Sequence, residues 1–88
     1  MKILKIGAIW CPECAIMKPR WAEIERDMPD LKTEYIDLDQ QPEIKHNRNI
    51  DHVPTFIFIG SDDQEIDRLK GLVEKDDLIN KIKEHQGK

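Results

Sequence analysis

Residues 3–14 read Ile3-Leu4-Lys5-Ile6-Gly7-Ala8-Ile9-Trp10-Cys11-Pro12-Glu13-Cys14, and their order decides the fold. Ile3 to Ile9 is a short apolar run, interrupted by Lys5 and Gly7, of the kind that forms a strand buried on both faces. From Pro12 the period changes. Cys14, Met17, Trp21, Ile24 and Met28 recur at steps of three and four, which makes one apolar stripe along a helix. A strand feeding directly into a helix places Cys11 at the helix start and Cys14 in its first turn. There the unpaired amides and the positive end of the helix dipole stabilise a thiolate, lowering a cysteine pKa from about 8.5 to roughly 3.5–7.5. Cys11 is therefore expected to be the nucleophile. Cys14, on the inward stripe, is expected to be the less accessible thiol, held close enough to attack a mixed disulfide on Cys11. Pro12 suits the first helical position, where its missing N–H has no partner to lose and its fixed φ fits the turn.

Working outward, Pro19 lies inside the stripe and predicts a kink or a break into two shorter helices, and Pro29-Asp30 ends the segment. Thr33–Asp39 alternates as a second strand, with Tyr35 inward and Ile36 and Leu38 as further inward candidates. Asp39–Pro42 opens a short helix to about Arg48, stopped by Asn49, which tolerates the left-handed conformation. Thr55–Gly60 and Glu65–Lys70 flank the polar turn Ser61–Gln64 as a hairpin closed by Gly71. Glu74–His85 carries Leu78, Ile79 and Ile82 on one face and Asp76 and Asp77 in its first turn, the pattern of a terminal amphipathic helix. The order β-α-β-α-β-β-α is that of an α/β protein, and the first strand-helix-strand unit should cross over right-handed, with its two strands parallel.

At 88 residues the chain has room for one domain, 1–88, with a single sheet covered by a few helices. Its 14 basic and 18 acidic side chains leave a net charge of −4, which disfavours nucleic acid and anionic lipid as partners. The first 22 residues are the exception, carrying Lys2, Lys5, Lys18 and Arg20 against Glu13 alone. No apolar run approaches the roughly 18 residues of a membrane span. No secretory signal peptide is visible, so a cytoplasmic location is expected. In a reducing compartment a lone close pair of cysteines points to redox work rather than to a structural staple.

These features resemble the thioredoxin family, and the resemblance covers nearly the whole chain. It rests on Trp10-Cys11-Pro12-Glu13-Cys14 after the first strand, Pro19 five residues beyond the second cysteine, Asp39-Gln40-Gln41-Pro42 before the next helix, Val53-Pro54-Thr55-Phe56 opening the hairpin, and Gly71 before the last helix. The resemblance implies a thioredoxin fold with a four-stranded mixed sheet in the order 2-1-3-4, strand three antiparallel. It also implies the shorter core of glutaredoxins and small thioredoxin-like proteins, without the extra leading strand and helix expected of full-length thioredoxins. It further implies a thiol–disulfide oxidoreductase that reduces protein disulfides, with Cys11 and Cys14 as the catalytic, disulfide-forming pair. Trp10, Pro12 and Glu13 would form the active-site loop, Pro54 would be cis, and Val53, Pro54 and Gly71 would meet the substrate. No cofactor or metal is implied. The expected partners are disulfide-containing proteins and, as electron donor, a flavoprotein thioredoxin reductase, with the chain itself a monomer.

The chain also departs from the family. Pro-Glu between the cysteines is neither the Gly-Pro of thioredoxins nor the Pro-Tyr of glutaredoxins, and the Glu13 carboxylate is expected to raise the Cys11 pKa and make the pair more reducing. Lys5 stands where thioredoxins carry a buried acid, and it is expected to snorkel to solvent. His52 could reach the site rim, whereas His46 and His85 read as exposed helix residues and Trp21 as core. Two alternatives compete. A glutathione-dependent, glutaredoxin-like reductase is disfavoured because Gly60-Ser61-Asp62-Asp63 is a hairpin turn rather than a glutathione-receiving Gly-Gly pair. A zinc or iron–sulfur module would need two further ligands that the spacing of the histidines does not supply.

Overall fold

The computed structural model describes residues 1–88. Its elements run β1 (Lys2–Gly7), α1 (Pro12–Asp27), β2 (Lys32–Asp37), α2 (Glu43–Asn47), β3 (Thr55–Ile59), β4 (Glu65–Lys70) and α3 (Lys75–His85). The sheet order is β2-β1-β3-β4; β1 and β2 are parallel, and β3 is antiparallel to both of its neighbours. This is the expected architecture.

Alternation along β1 splits the core in two. Ile3 faces Met17, Trp21 and Ile24 of α1 and Leu78 and Ile82 of α3, together with Phe56 and Phe58. On the other face Leu4 and Ile6 pack with Ile36, Ile50, Ile57 and Ile59. β3 is buried along its whole length because both faces are covered, and each of its large side chains contributes about 1.5–3 kcal/mol by leaving water.

α1 starts where an extended residue, Cys11, caps it, with Pro12 in the first turn, and it ends where the Met28 N–H bonds back to the Ile24 carbonyl at 2.8 Å. It runs unbroken through Pro19, so the alternative of two shorter helices does not hold. Proline deprives the Ala15 carbonyl of its intrahelical donor, but both residues are exposed, so water can meet that oxygen. α1 is tied to the segment before α3 by Arg20, whose Nη1 donates to the Val73 carbonyl at 2.8 Å.

Two inward or outward assignments are reversed. Ile36, not Tyr35, is the buried residue of β2; Tyr35 is 54% exposed, because its face of this edge strand is only partly covered by α1. His85 is buried rather than exposed. Its Nε2 meets Asp67 Oδ2 on β4 at 2.9 Å, and its ring lies 5.6 Å from that of Phe58. Asn49 does adopt the left-handed conformation at the end of α2, with φ 53°.

Candidate active site

The chain leaves β1 at Gly7 and turns through Ala8–Trp10, with the Cys11 N–H donating to the Ala8 carbonyl at 3.2 Å. The turn delivers Cys11 to the N-cap of α1. There Cys11 Sγ accepts the backbone N–H of Cys14 at 3.1 Å, the job a serine or aspartate oxygen does at most helix starts. Cys11 and Cys14 are joined as a disulfide. A sulfur that already receives an amide hydrogen at the positive end of a helix is favoured as an anion when the bond opens.

The second wall of the site comes from far along the sequence. Val53–Pro54 is a cis peptide, as expected, and the Val53 carbonyl oxygen lies 3.6 Å from Cys11 Sγ. Thr55, fully buried, donates its hydroxyl to the His52 carbonyl at 2.5 Å and so fixes the loop. The Gly71 N–H donates to the Pro54 carbonyl at 2.8 Å. Gly71 has φ 76°, a conformation other residues enter at a cost, and this brings it beside the loop. Trp10 is held over the opening by its Nε1–H, which donates to Asp39 Oδ2 at 3.0 Å, a partner the sequence alone did not reveal. Pro12 is exposed at the helix start. Glu13 Oε1 faces His52 Nε2 at 3.7 Å, so His52 does reach the rim. Ile9, Trp10 and Leu72 are exposed apolar side chains on these same turns.

The relative exposure of the cysteines is the reverse of the expected one. Cys11 is 4% exposed, whereas Cys14 is only half-buried. The Val53 carbonyl lies against Cys11, and both cysteines line an open cavity of about 570 Å³ between α1 and the sheet, together with Gly7, Lys5, Glu25 and Tyr35 among others. Lys5 does not snorkel. Its Nζ pairs with Glu25 Oε2 at 2.5 Å and lies 5.7 Å from the centre of the Trp21 ring, and Glu25 also accepts from Thr33 Oγ1 at 3.0 Å. Burial, reinforced by Asp37 and Asp39, pushes the Tyr35 pKa up, so the phenol stays protonated near neutral pH.

A convergence of three potential metal-ligating side chains occurs elsewhere, at Asp67, Glu84 and His85, and does not include either cysteine. The Lys81 ammonium fills it, 3.0 Å from Asp67 and 3.3 Å from Glu84. No helix is long and apolar enough to cross a membrane.

The thioredoxin family model matches residues 2–84. Among curated relatives, the chain is 36% identical to Thioredoxin H5 of Oryza sativa subsp. japonica, over 92% of this chain and 63% of the rice protein. It is 30% identical to a Chlamydia trachomatis thioredoxin, over 96% of this chain and 81% of that one. The chain thus spans less than two thirds of the rice relative's length. Among solved structures, Fasciola hepatica thioredoxin superposes with a TM-score of 0.87 at 27% identity, covering 97% of this chain and 80% of the fluke protein. With the sheet order, the cis-proline loop and the capped cysteine pair already in place, the chain belongs to the thioredoxin family.

Proposed function

We propose that this chain reduces disulfides in other proteins by dithiol exchange, with Cys11 as nucleophile and Cys14 as resolving thiol. The observation that carries this reading is the amide hydrogen bond from Cys14 to Cys11 Sγ at the helix cap, beside the Val53 carbonyl. Exposure alone would favour Cys14. Nucleophilicity, however, follows thiolate population, and the N–H and helix dipole act on the Cys11 sulfur. The Cys11 thiolate attacks one sulfur of the substrate disulfide, forming a mixed disulfide and expelling the other substrate sulfur as a thiolate. Cys14, once deprotonated, attacks Cys11 Sγ; the Cys11–Cys14 bond forms and the second substrate thiolate leaves. Two electrons have passed to the substrate, whose thiolates take their protons from water. The backbone of Val53 offers an extended substrate segment its docking groups, with Pro54 and Gly71 forming the edge beside it. Trp10, Ile9 and Leu72 supply apolar contact.

The oxidised pair needs an electron donor, and a flavoprotein reductase of the thioredoxin type suits it, acting on a monomer in a reducing, cytoplasmic compartment. The glutathione-dependent alternative is weaker, since residues 60–63 form a hairpin turn rather than a glutathione seat. The test is a comparison of protein-disulfide turnover driven by thioredoxin reductase or by glutathione, with Cys11→Ser and Cys14→Ser. Cys14→Ser should accumulate a mixed disulfide on Cys11 and turn over poorly. Accumulation in Cys11→Ser instead would reverse the two roles, and no adduct in either variant would end the exchange reading.

A further inference from the structure

Gly7 ends β1 beneath the cysteine pair, in register with Asp37, two residues along from the Lys5–Tyr35 pairing. A Cβ placed on Gly7 would stand 3.2 Å from Cys14 Sγ and 3.2 Å from Tyr35 Oη, with Tyr35 Cε1 at 3.3 Å. The resolving sulfur and the phenol oxygen therefore converge on the same missing methyl group, separated by no more than the sum of those two distances. The other polar groups in the cavity are Lys5 on β1, Lys18, Glu25 and the unpartnered indole N–H of Trp21 on α1, and Asp37 on β2. Most are committed: the Lys5 ammonium to Glu25, and Asp37 Oδ1 to the backbone N–H of Asp39 at 2.8 Å. Lys18 is exposed one turn further along α1. Tyr35 brings the one hydroxyl to this cavity.

We propose that Tyr35 donates a hydrogen bond to Cys14 Sγ when that sulfur is released from the Cys11–Cys14 bond, and that Gly7 exists to leave room for this contact. This rests on the dithiol-exchange reading and adds to it the group that prepares the resolving step. In the mixed disulfide, Cys14 must lose its proton to water through the open cavity before it attacks Cys11 Sγ. A phenol donor stabilises the resulting thiolate, and the electron pair displaced from the Cys11–substrate bond leaves on the substrate sulfur. Because burial and the nearby carboxylates keep Tyr35 protonated, it donates rather than accepts.

The test isolates Cys14 as the single thiol in Cys11→Ser and follows its alkylation rate against pH. Adding Tyr35→Phe, which keeps the ring and therefore the fold, should move the alkylation midpoint up so that the thiolate fraction near neutral pH drops about 3- to 10-fold. Gly7→Ala should act in the same direction, because its methyl displaces either the phenol or the sulfur. The Cys11 profile, read in Cys14→Ser, should stay where it is with and without Tyr35→Phe. An unmoved or lowered Cys14 midpoint, or equal shifts in both cysteines, overturns the proposal. Failure of both Cys14→Ser and Cys11→Ser to trap any substrate would instead overturn the exchange reading beneath it.

Discussion

Removing the charge at Asp67 by Asp67→Asn should cost stability at neutral pH and cost almost nothing in acid. Burial works against ionisation of this carboxylate, yet the hydrogen bonds from His85 and Lys81, with the Arg68 backbone N–H, outweigh it and hold the pKa at about 2 instead of 3.8. Nearly two units at about 1.4 kcal/mol each set a ceiling of roughly 2.5 kcal/mol. The carboxylate is a quarter exposed, so solvent screening trims this to about 1–2 kcal/mol. The folded pKa lies below the unfolded one. The stabilisation is therefore complete above about pH 5 and drains away as the pH falls through 4 towards 2. Asparagine keeps an acceptor for the Arg68 N–H but replaces the charged Oδ2 that His85 and Lys81 serve by an NH2 group that cannot accept from the Lys81 ammonium. Urea unfolding followed by circular dichroism should show the wild-type protein ahead of the variant by about 1 M in midpoint near pH 7, given a slope of roughly 1–2 kcal/mol per M. With the folded pKa at about 2, that gap should shrink to about a third of its neutral value near pH 2.5 and close only below about pH 1.5. A gap that is constant with pH, or that widens in acid, would mean that the β4–α3 clamp does not work through the Asp67 charge.

Glu25→Ala should destabilise more than Lys5→Met, by about 1–3 kcal/mol against about 1 or less in the same unfolding assay. The first strands a Lys5 ammonium whose side chain is 16% exposed and unpairs Thr33, whereas the second leaves a Glu25 that Thr33 still serves; the opposite ranking would refute the pairing as the reason Lys5 is tolerated there. Glu13→Gln should lower the Cys11 pKa by a few tenths of a unit, read from alkylation against pH in Cys14→Ser, because it withdraws a half-exposed carboxylate from beside the thiolate. An unchanged or raised value would remove Glu13 as a determinant of the pair.

The order of elements and the place of Cys11 at a helix cap were legible in the sequence because both follow from local periodicity. An apolar run that changes period at Pro12 leaves few alternatives, and the hairpin around Ser61–Gln64 announces itself through its turn residues. Resemblance supplied the cis geometry of Pro54 and the neighbourhood of Val53 and Gly71, which no local pattern encodes.

What the sequence could not decide was which face of an element meets which neighbour. Tyr35 read as core because alternation marks a face without saying whether that face is covered, and on an edge strand beside a single helix it is covered only in part. His85 read as exposed because its partner Asp67 lies 18 residues away on another element. Lys5 had no visible counter-ion, since Glu25 is 20 residues distant and reaches it only when α1 packs across β1. Local pattern fixes where strands and helices begin, because it acts over a few residues. Long-range packing alone decides which charges pair, which cysteine lies beneath a loop, and that a glycine, a phenol and a sulfur share one gap.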